Sequence, residues 1–372
     1  MNDGKTYFGA ELLKWYRKER RDLPWRRSRN PYHIWVSEIM LQQTRVDTVI
    51  PYFNRFVDRF PTVGDLAEAP EEDVLKHWEG LGYYSRARNL QAAAREVAEL
   101  YEGRVPRVKK EVSGLKGVGP YTAGAILSIA YDQPEPAVDG NVMRVLSRYF
   151  CLDADISKPA TRVDMESLAA SLIPEGQAAD FNQALMELGA LICTPKSPSC
   201  GGCPVAEPCL ARLAGREKEL PVKTKAKKAR DVYRFAALIE GVGPHAGKVL
   251  VRRRPDTGLL AKMWELPHIE AADAAAWEDL AEGGRGLEAA LAEDGIVAKA
   301  TERSAFDAQH VFTHLVWHIK VLPARAAEEL FVADRTGYEW VGPEQFELYS
   351  WPNVFRKLLT EYFVDRAKEK DE

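Results

Sequence analysis

A chain of 372 residues exceeds one typical core and predicts two domains, and 46% hydrophobic with 28% charged residues is a soluble composition. No apolar run opens the chain as a signal peptide would, and none approaches the eighteen or more apolar residues of a membrane span, so the expected compartment is the cytoplasm. The formal net charge of −4 argues on its face against a nucleic-acid partner. Yet the charge is uneven: residues 1–230 hold 34 Lys+Arg against 30 Asp+Glu, and residues 231–372 hold 17 against 25. A basic N-terminal part permits phosphate contacts on one side, and an ordinary solvated surface would carry the same charges.

The first 215 residues read as helices, with apolar residues three and four apart in Pro70–Trp78, Ser85–Tyr101 and Tyr121–Tyr131. Early in this region Glu38 lies in PYHIWVSEIMLQQT, among apolar neighbours that place it on a largely buried helix. Such a carboxylate either pairs with an arginine, Arg26 or Arg45, or is an acid whose pKa is raised by desolvation. Further on, LKGVGPYTAGA puts Gly117 and Gly119 in a tight turn before a helix. Backbone N–H groups at such a helix start can hold a phosphate, and a plain helix–helix turn would look the same. Asp139, in PAVDGNVMRV, sits where a helix N-cap is expected, and an N-cap Asp keeps an outer oxygen for a second role. Two carboxylates from separate segments, one protonated and one ionised, form the arrangement that cleaves glycosidic bonds through an oxocarbenium-like state.

Four of the five cysteines follow in CTPKSPSCGGCPVAEPC: Cys193, Cys200, Cys203 and Cys209. Disulfides are disfavoured in a cytoplasmic chain, so thiolate ligation is the leading reading. One close C-x2-C pair with unequal outer gaps suits a [4Fe–4S] cluster, and spacing alone leaves zinc open. Cys151, after the apolar run VLSRYF, is expected to be a buried core thiol. Beyond a Lys-rich stretch at 216–230 the grammar changes to short β-branched and aromatic runs, Val232–Glu240, Lys248–Arg253 and Val311–Val321. The expected division is an all-α domain over 1–215, a basic linker over 216–230 and an α+β domain over 231–365.

Taken together, the LKGVGPYTAGA hairpin, Asp139 and the C-x6-C-x2-C-x5-C loop resemble the helix-hairpin-helix DNA glycosylases of the endonuclease III superfamily. Within that superfamily the chain resembles the MutY branch of adenine glycosylases, through LPWR (23–26), WVSEIMLQQTRVDTVIPYF (35–53), WEGLGYYSRARNL (78–90) and FNQALMELGALICTP (181–195). The resemblance implies a mainly α glycosylase domain of six-helix and cluster subdomains, with the four cysteines holding a [4Fe–4S] cluster. It further implies a monomer acting in the bacterial cytoplasm, on the nucleoid, on double-stranded DNA with adenine opposite 8-oxoguanine or guanine. Glu38 would be the general acid at adenine N7, and Asp139 would stabilise the cationic sugar electrostatically or as a nucleophile. Tyr121 and Asn141 would flank that centre, Tyr121 near Asp139.

Relatives with lyase activity carry a Lys where Tyr121 stands, and a phenol cannot form a Schiff base, so hydrolysis without strong strand cleavage is expected. By the same resemblance Trp25, Arg26 and Gln183 would line the adenine pocket, the last where some relatives have Glu. Gln43, Thr44, Leu81 and Tyr83 would enter or touch the duplex, and Gly117, Val118 and Gly119 would meet its backbone; core packing is the plain alternative for Trp25 and Leu81. Residues 231–365 resemble more loosely a MutT-like (Nudix) domain. GLEAALAEDGI lacks the R-E-x-x-E-E cluster of a working Nudix enzyme, so recognition rather than nucleotide hydrolysis is expected. Phe312, Thr313 and His314 would form the loop tip that reads 8-oxoguanine, with Thr313 where many relatives have Ser. Read as one strand, AQHVFTHLVWHIK separates His310, His314 and His318 by ~13 Å per step, too far to share an ion. A bifunctional endonuclease III-type enzyme and a non-catalytic damage-binding protein are the competing readings; Tyr121 and the second domain oppose the first, and the retained Glu38 and Asp139 oppose the second.

Overall fold

The computed structural model describes residues 2–225, 228–326 and 337–371. By its contacts the chain divides into two compact units, residues 1–74 with 86–225, and residues 75–85 with 226–372. Its helices up to residue 225 are α1 (Asn2–Glu19), α2 (Pro31–Leu41), α3 (Val46–Arg59), α4 (Val63–Glu68), α5 (Glu71–Trp78), α6 (Ser85–Leu100), α7 (Lys109–Gly114), α8 (Pro120–Tyr131), α9 (Gly140–Tyr149), α10 (Pro159–Ala170), α11 (Ala178–Leu191) and α12 (Leu210–Leu213).

In the first unit, two helices are buried almost all round. Residues 34–40 of α2 and 122–129 of α8 are all buried, the pattern of helices at the centre of a bundle rather than on its surface. Proline at the start of α2, α8 and α10 fits positions whose N–H has no helical partner. A second core joins Phe8, Leu12 and Tyr16 of α1 to Val142, Val145 and Leu146 of α9 and Phe181, Leu185 and Leu188 of α11. Cys151 departs from its expected place. It is half-buried, takes a left-handed φ of 53° where α9 ends, and its Sγ lies 3.6 Å from Arg216 Nη1. The stretch expected to be a basic linker is also pinned in its first part. Arg148 Nε donates to Leu220 O (2.9 Å), Ile156 N to Val222 O (3.0 Å), and Thr224 Oγ1 to Asp155. Residues 226–227 of that stretch lie outside the described residues.

The second unit contains β1 (Arg230–Glu240), β2 (Val249–Arg253), β3 (Trp264–Glu265), β4 (His268–Glu270), α13 (Ala274–Glu278), α14 (Leu280–Glu293), β5 (Ala298–Ala300), β6 (Phe306–Val311), β7 (Leu315–Ala326), β8 (Tyr338–Val341), α15 (Pro343–Phe346) and α16 (Asn353–Asp371). Its described strands form one mixed sheet in which β1 runs parallel to β7 and the other pairings are antiparallel. The period of two in β1 divides the core. Val232, Ala236 and Leu238 pack with Trp351, Phe355 and Leu358 of the C-terminal segment, whereas Phe235, Ala237 and Ile239 pack with Leu287 and Leu291 of α14. Residues 75–85, inside the all-α domain expected over 1–215, belong to this unit. Glu79 accepts from Trp351 N (2.9 Å) and from Arg356, and Lys76 Nζ donates to Tyr349 O (3.2 Å).

The expected single strand Val311–Val321 is broken at 312–314, where β6 turns into β7 to form a hairpin, with Phe312 N donating to Leu315 O (2.8 Å). That changes the histidine geometry. His310 faces Trp317 and His318 faces Gln309 across the hairpin, so distance no longer separates them. The pleat does, sending neighbouring pairs to opposite faces; His318 Nε2 meets Asp231 (2.8 Å) while His310 packs on Phe312. In α14, Glu288 accepts from Ala300 N (2.9 Å), and just beyond it Asp294 accepts from Tyr338 OH (2.6 Å). No described helix is long and apolar enough to cross a membrane.

A glycine fixes how closely α8 meets the loop before α9. A Cβ on Gly124 would lie 2.1 Å from Pro136 O, a backbone atom that cannot swing away. Gly124→Ala is expected to cost about 1–3 kcal/mol and to lower the thermal midpoint. Gly114→Ala, with open space around its Cβ, should leave that midpoint unchanged or slightly raised.

Candidate active site

A cleft of about 910 Å³ in the first unit is lined by Trp25, Arg26, Glu38, Gln43, Thr44, Gly117, Gly119, Tyr121, Asp139, Asn141 and Gln183, bringing together residues that lie far apart in sequence. Glu38 enters from α2, whose start is fixed by Asn30 Oδ1 accepting from Tyr32 N (2.9 Å) and His33 N (3.4 Å). Only 5% of Glu38 is exposed, and Tyr121, in the first turn of α8, donates its hydroxyl to Glu38 Oε2 (2.5 Å). Neither suggested arginine pairs with it among the described hydrogen bonds and ion pairs. Burial pushes the Glu38 carboxyl up to about 7; the Tyr121 hydrogen bond and Arg26 pull it down, and the charge of Asp139 pushes it up. Tyr121 thus hydrogen-bonds Glu38, and the charge of Asp139 also reaches its hydroxyl.

Asp139 caps α9 and keeps a second contact. Its Oδ1 accepts from Val142 N (2.8 Å) and its Oδ2 from Asn141 Nδ2 (2.7 Å). Burial raises its pKa too, but Val142, Asn141 and the Arg144 charge work against that rise. The two carboxyls thus sit in unlike surroundings, Glu38 in an apolar helix with one hydroxyl and Asp139 among several donors. Three buried residues that the sequence reading missed hold this arrangement. Asn182 Oδ1 accepts from Ala137 N (2.9 Å) and its Nδ2 donates to Glu135 O (3.0 Å), fixing the approach to Asp139. Arg144 donates to Asn141 Oδ1 (2.8 Å), Gly189 O (2.8 Å) and Cys193 O (2.7 Å). Glu187 accepts from both Arg21 and Arg26. The available signal was a polar side chain inside an apolar helical stretch, FNQALMELGA and GNVMRVLSRY.

The remaining expected residues divide by exposure. Trp25 is buried with its ring edge-on to Phe53 (5.4 Å), and Gln183 Nε2 donates to Ala179 O (3.1 Å). Gln43 holds φ at 57°, and Thr44 Oγ1 accepts from Arg86 Nη2 (3.3 Å). Gly117 takes φ 76°, and a Cβ there would stand 2.7 Å from Asn89 Cβ; Gly119 precedes Pro120 as the N-cap of α8, and the Val118 side chain is buried. In the second unit Leu81 is buried, whereas Tyr83 is 45% exposed with φ 49°. The Tyr83 hydroxyl lies 2.7 Å from Thr313 Oγ1, so two residues expected to touch the lesion pair meet each other. Phe312 packs on Trp317 (5.0 Å), and His314 closes the same turn, its carbonyl accepting from Arg230 N (3.0 Å).

Cys193, Cys200, Cys203 and Cys209 line one small cavity of about 30 Å³ with Arg148 and Arg212. Burial raises the thiol of Cys203 to about 12, and the other three cysteines add to the rise, a mutual repulsion that a bound cation would relieve. Among the described residues no three His, Cys, Asp or Glu side chains gather around a single ion; a cubane, which takes one thiolate at each of four corners, needs a wider spacing. Arg148, almost wholly buried, pins the loop by donating to Cys193 O (3.3 Å), Thr194 O (2.7 Å), Pro195 O (3.0 Å) and Cys193 Sγ (3.3 Å).

Residues 36–171 match the family model of the HhH-GPD superfamily base excision DNA repair proteins, and residues 241–361 match a NUDIX domain. Over 312 residues the chain is 40% identical to an adenine DNA glycosylase of Mus musculus, covering 71% of this chain. The match spans 61% of the length of that relative. An adenine DNA glycosylase of Homo sapiens is 34% identical over 412 residues, covering 96% of this chain and 74% of the relative. Among solved structures, a thermostable thymine-DNA glycosylase superposes with a TM-score of 0.54 at 33% identity, covering 57% of this chain and 98% of its own.

The raised pKa of Glu38 makes stability depend on pH. A carboxyl that binds its proton more tightly when folded stabilises the native state below its ordinary pKa of about 4.5, and that contribution is lost as pH rises to about 7. Glu38→Gln keeps the shape without the charge. Its unfolding free energy relative to wild type should climb between pH 4.5 and 7 and level off near +3 kcal/mol, about 1.4 kcal/mol per unit, in urea titrations run across that range.

Proposed function

Because this chain belongs to the adenine DNA glycosylase family within the HhH-GPD superfamily, we propose that it excises adenine mispaired with 8-oxoguanine from duplex DNA by hydrolysis. The observation that carries the proposal is the pair of unlike carboxyls in one cleft, Glu38 held up to about 7 and Asp139 surrounded by donors. A base inside the duplex is out of reach, so the adenine must be flipped into the cleft. With Glu38 Oε2 taken by Tyr121, Oε1 carries the proton that goes to adenine N7. The C1′–N9 bond then breaks with its electron pair leaving on the base, and adenine departs neutral. Asp139, held by Val142 and Asn141, supports the positive charge at C1′ until water adds there and gives up a proton to the Glu38 carboxylate, restoring the acid. Tyr121 offers no amine for a Schiff base, which fits a monofunctional enzyme.

Backbone groups of Gly117, Val118 and Gly119 at the start of α8 suit a phosphate, while Gln43, Thr44, Leu81 and Tyr83 are assigned to the duplex and the gap left by the flipped base. Trp25, Arg26 and Gln183 form the adenine pocket. Phe312, Thr313 and His314, at a hairpin turn in the recognition domain of 231–365, are assigned to 8-oxoguanine. The basic stretch 216–230 links the two domains and its charge suits phosphates, the enzyme working as a monomer on the nucleoid. Cys193, Cys200, Cys203 and Cys209 would hold a [4Fe–4S] cluster, which supplies a rigid fold for the loop and no step of the bond cleavage.

Single-turnover excision from an adenine:8-oxoguanine duplex tests the reading. Wild type should release adenine, with a rate that declines as pH rises past about 7, where Glu38 loses its proton. Glu38→Gln and Asp139→Asn should fall by at least ~10² while still binding the duplex. No release by wild type rejects the function, and undiminished release by Asp139→Asn rejects the mechanism. For the cysteines, anaerobically purified protein should contain about four iron and four sulfide per chain. Cys200→Ser should lower both, and zinc in their place would reject the cluster.

A further inference from the structure

Glu187 lies on α11 at the wall of the cleft, 1% exposed, with no place in the chemistry above. Five N–H groups converge on it. Its Oε1 accepts from Arg21 N (3.1 Å), Arg21 Nε (2.9 Å) and Arg26 Nη1 (3.0 Å), and its Oε2 from Arg21 Nη2 (2.7 Å) and Arg26 Nη2 (2.9 Å). Arg21 and Arg26 come from the segment between α1 and α2, whose regular structure is the short 3-10 turn Pro24–Arg26. Without an anion there, two guanidiniums would repel one another on a loop beside the pocket. Both terminal nitrogens of Arg26 are committed to Glu187, and its guanidinium lies over the Tyr16 ring at 5.6 Å. As the pocket stands, Arg26 is a fixed wall and not a loose donor.

We infer that Glu187 is a positioning residue of the base pocket: it clamps Arg21 and Arg26 into one wall and offsets their charge beside Glu38, so that the pocket suits an uncharged purine and Glu38 keeps its proton. This rests on reading the cleft as the adenine pocket. The carboxylate is ionised in that clamp: burial alone would raise it, and the bonds from Arg21 and Arg26 bring it down to about 2. The groups acting on Glu38 are Tyr121, Asp139 and Arg26, so Glu187 reaches it through Arg26. Releasing Arg26 from its counter-charge therefore makes Glu38 a stronger acid and empties it of its proton at lower pH.

The experiment follows the Glu38 carboxyl by carbon NMR across a pH titration of the full chain, in wild type and in Glu187→Gln, with excision rates measured over the same range. In Glu187→Gln the midpoint should fall by about half a pH unit, roughly a threefold loss of the protonated form above it, and the decline of excision with pH should shift equally. A folded Glu187→Gln protein with an unmoved midpoint overturns the inference. If that variant fails to fold, Arg26→Met with Glu187→Met removes the pair as a neutral unit, a change buried ion pairs often tolerate. Its midpoint should stand at or above that of wild type, and a lowered one overturns the inference. The titration needs no turnover, so absence of adenine release by wild type sinks the functional reading alone and leaves this result to stand.

Discussion

Burying a carboxylate among apolar side chains is costly, and the site depends on that cost being tolerated at Glu38. Seven consecutive residues of α2, including Glu38, are hidden by neighbouring helices, so the carboxyl is removed from water by the core itself rather than by a mobile flap. The same apolar environment favours the protonated form, which makes the residue an acid available near neutral pH. Tyr121 keeps the group from being wholly unpaired while leaving one oxygen to act.

Asp139 is also buried and also raised, but more hydrogen-bond donors oppose the rise there. Two donors reach it directly, and behind Asn141 stands Arg144, which also grips the carbonyls of Gly189 and Cys193. That arginine is a mechanical connection from the Asp139 side of the cleft to the start of the cysteine loop. Arg148, one turn further along α9, fastens the next carbonyls of the loop. The cysteines therefore matter to the cleft by geometry: a loop that loses its shape loosens the carbonyls on which Arg144 is braced.

Much of this was legible in the chain. The helical periodicities, the change of grammar after residue 220, Asp139 as an N-cap and Glu38 as a buried carboxyl are local facts, fixed by residue spacing and by the cost of hiding a charge. Local reasoning failed where distant segments intervene. The run Val311–Val321 has continuous strand composition, and only the pairing of residues 306–311 with 316–321 shows that the chain folds back at 312–314. Residues 75–85 fall inside the all-α domain expected over 1–215, yet Glu79 and Lys76 find their partners at 347–356. Cys151 follows an apolar run but sits at a left-handed helix end, where its side chain turns toward Arg216.

By itself, then, the sequence determined which chemical groups are present and which helices and strands carry them, because those depend on neighbours within a few positions. Partner choice was decided only by the tertiary structure. Tyr121 belongs to Glu38 and Arg26 to Glu187 because segments about eighty and one hundred and sixty residues apart pack against each other. Spacing along a chain carries no record of such contacts. They follow from which apolar faces bury one another, and the pKa that makes Glu38 useful is a property of that burial.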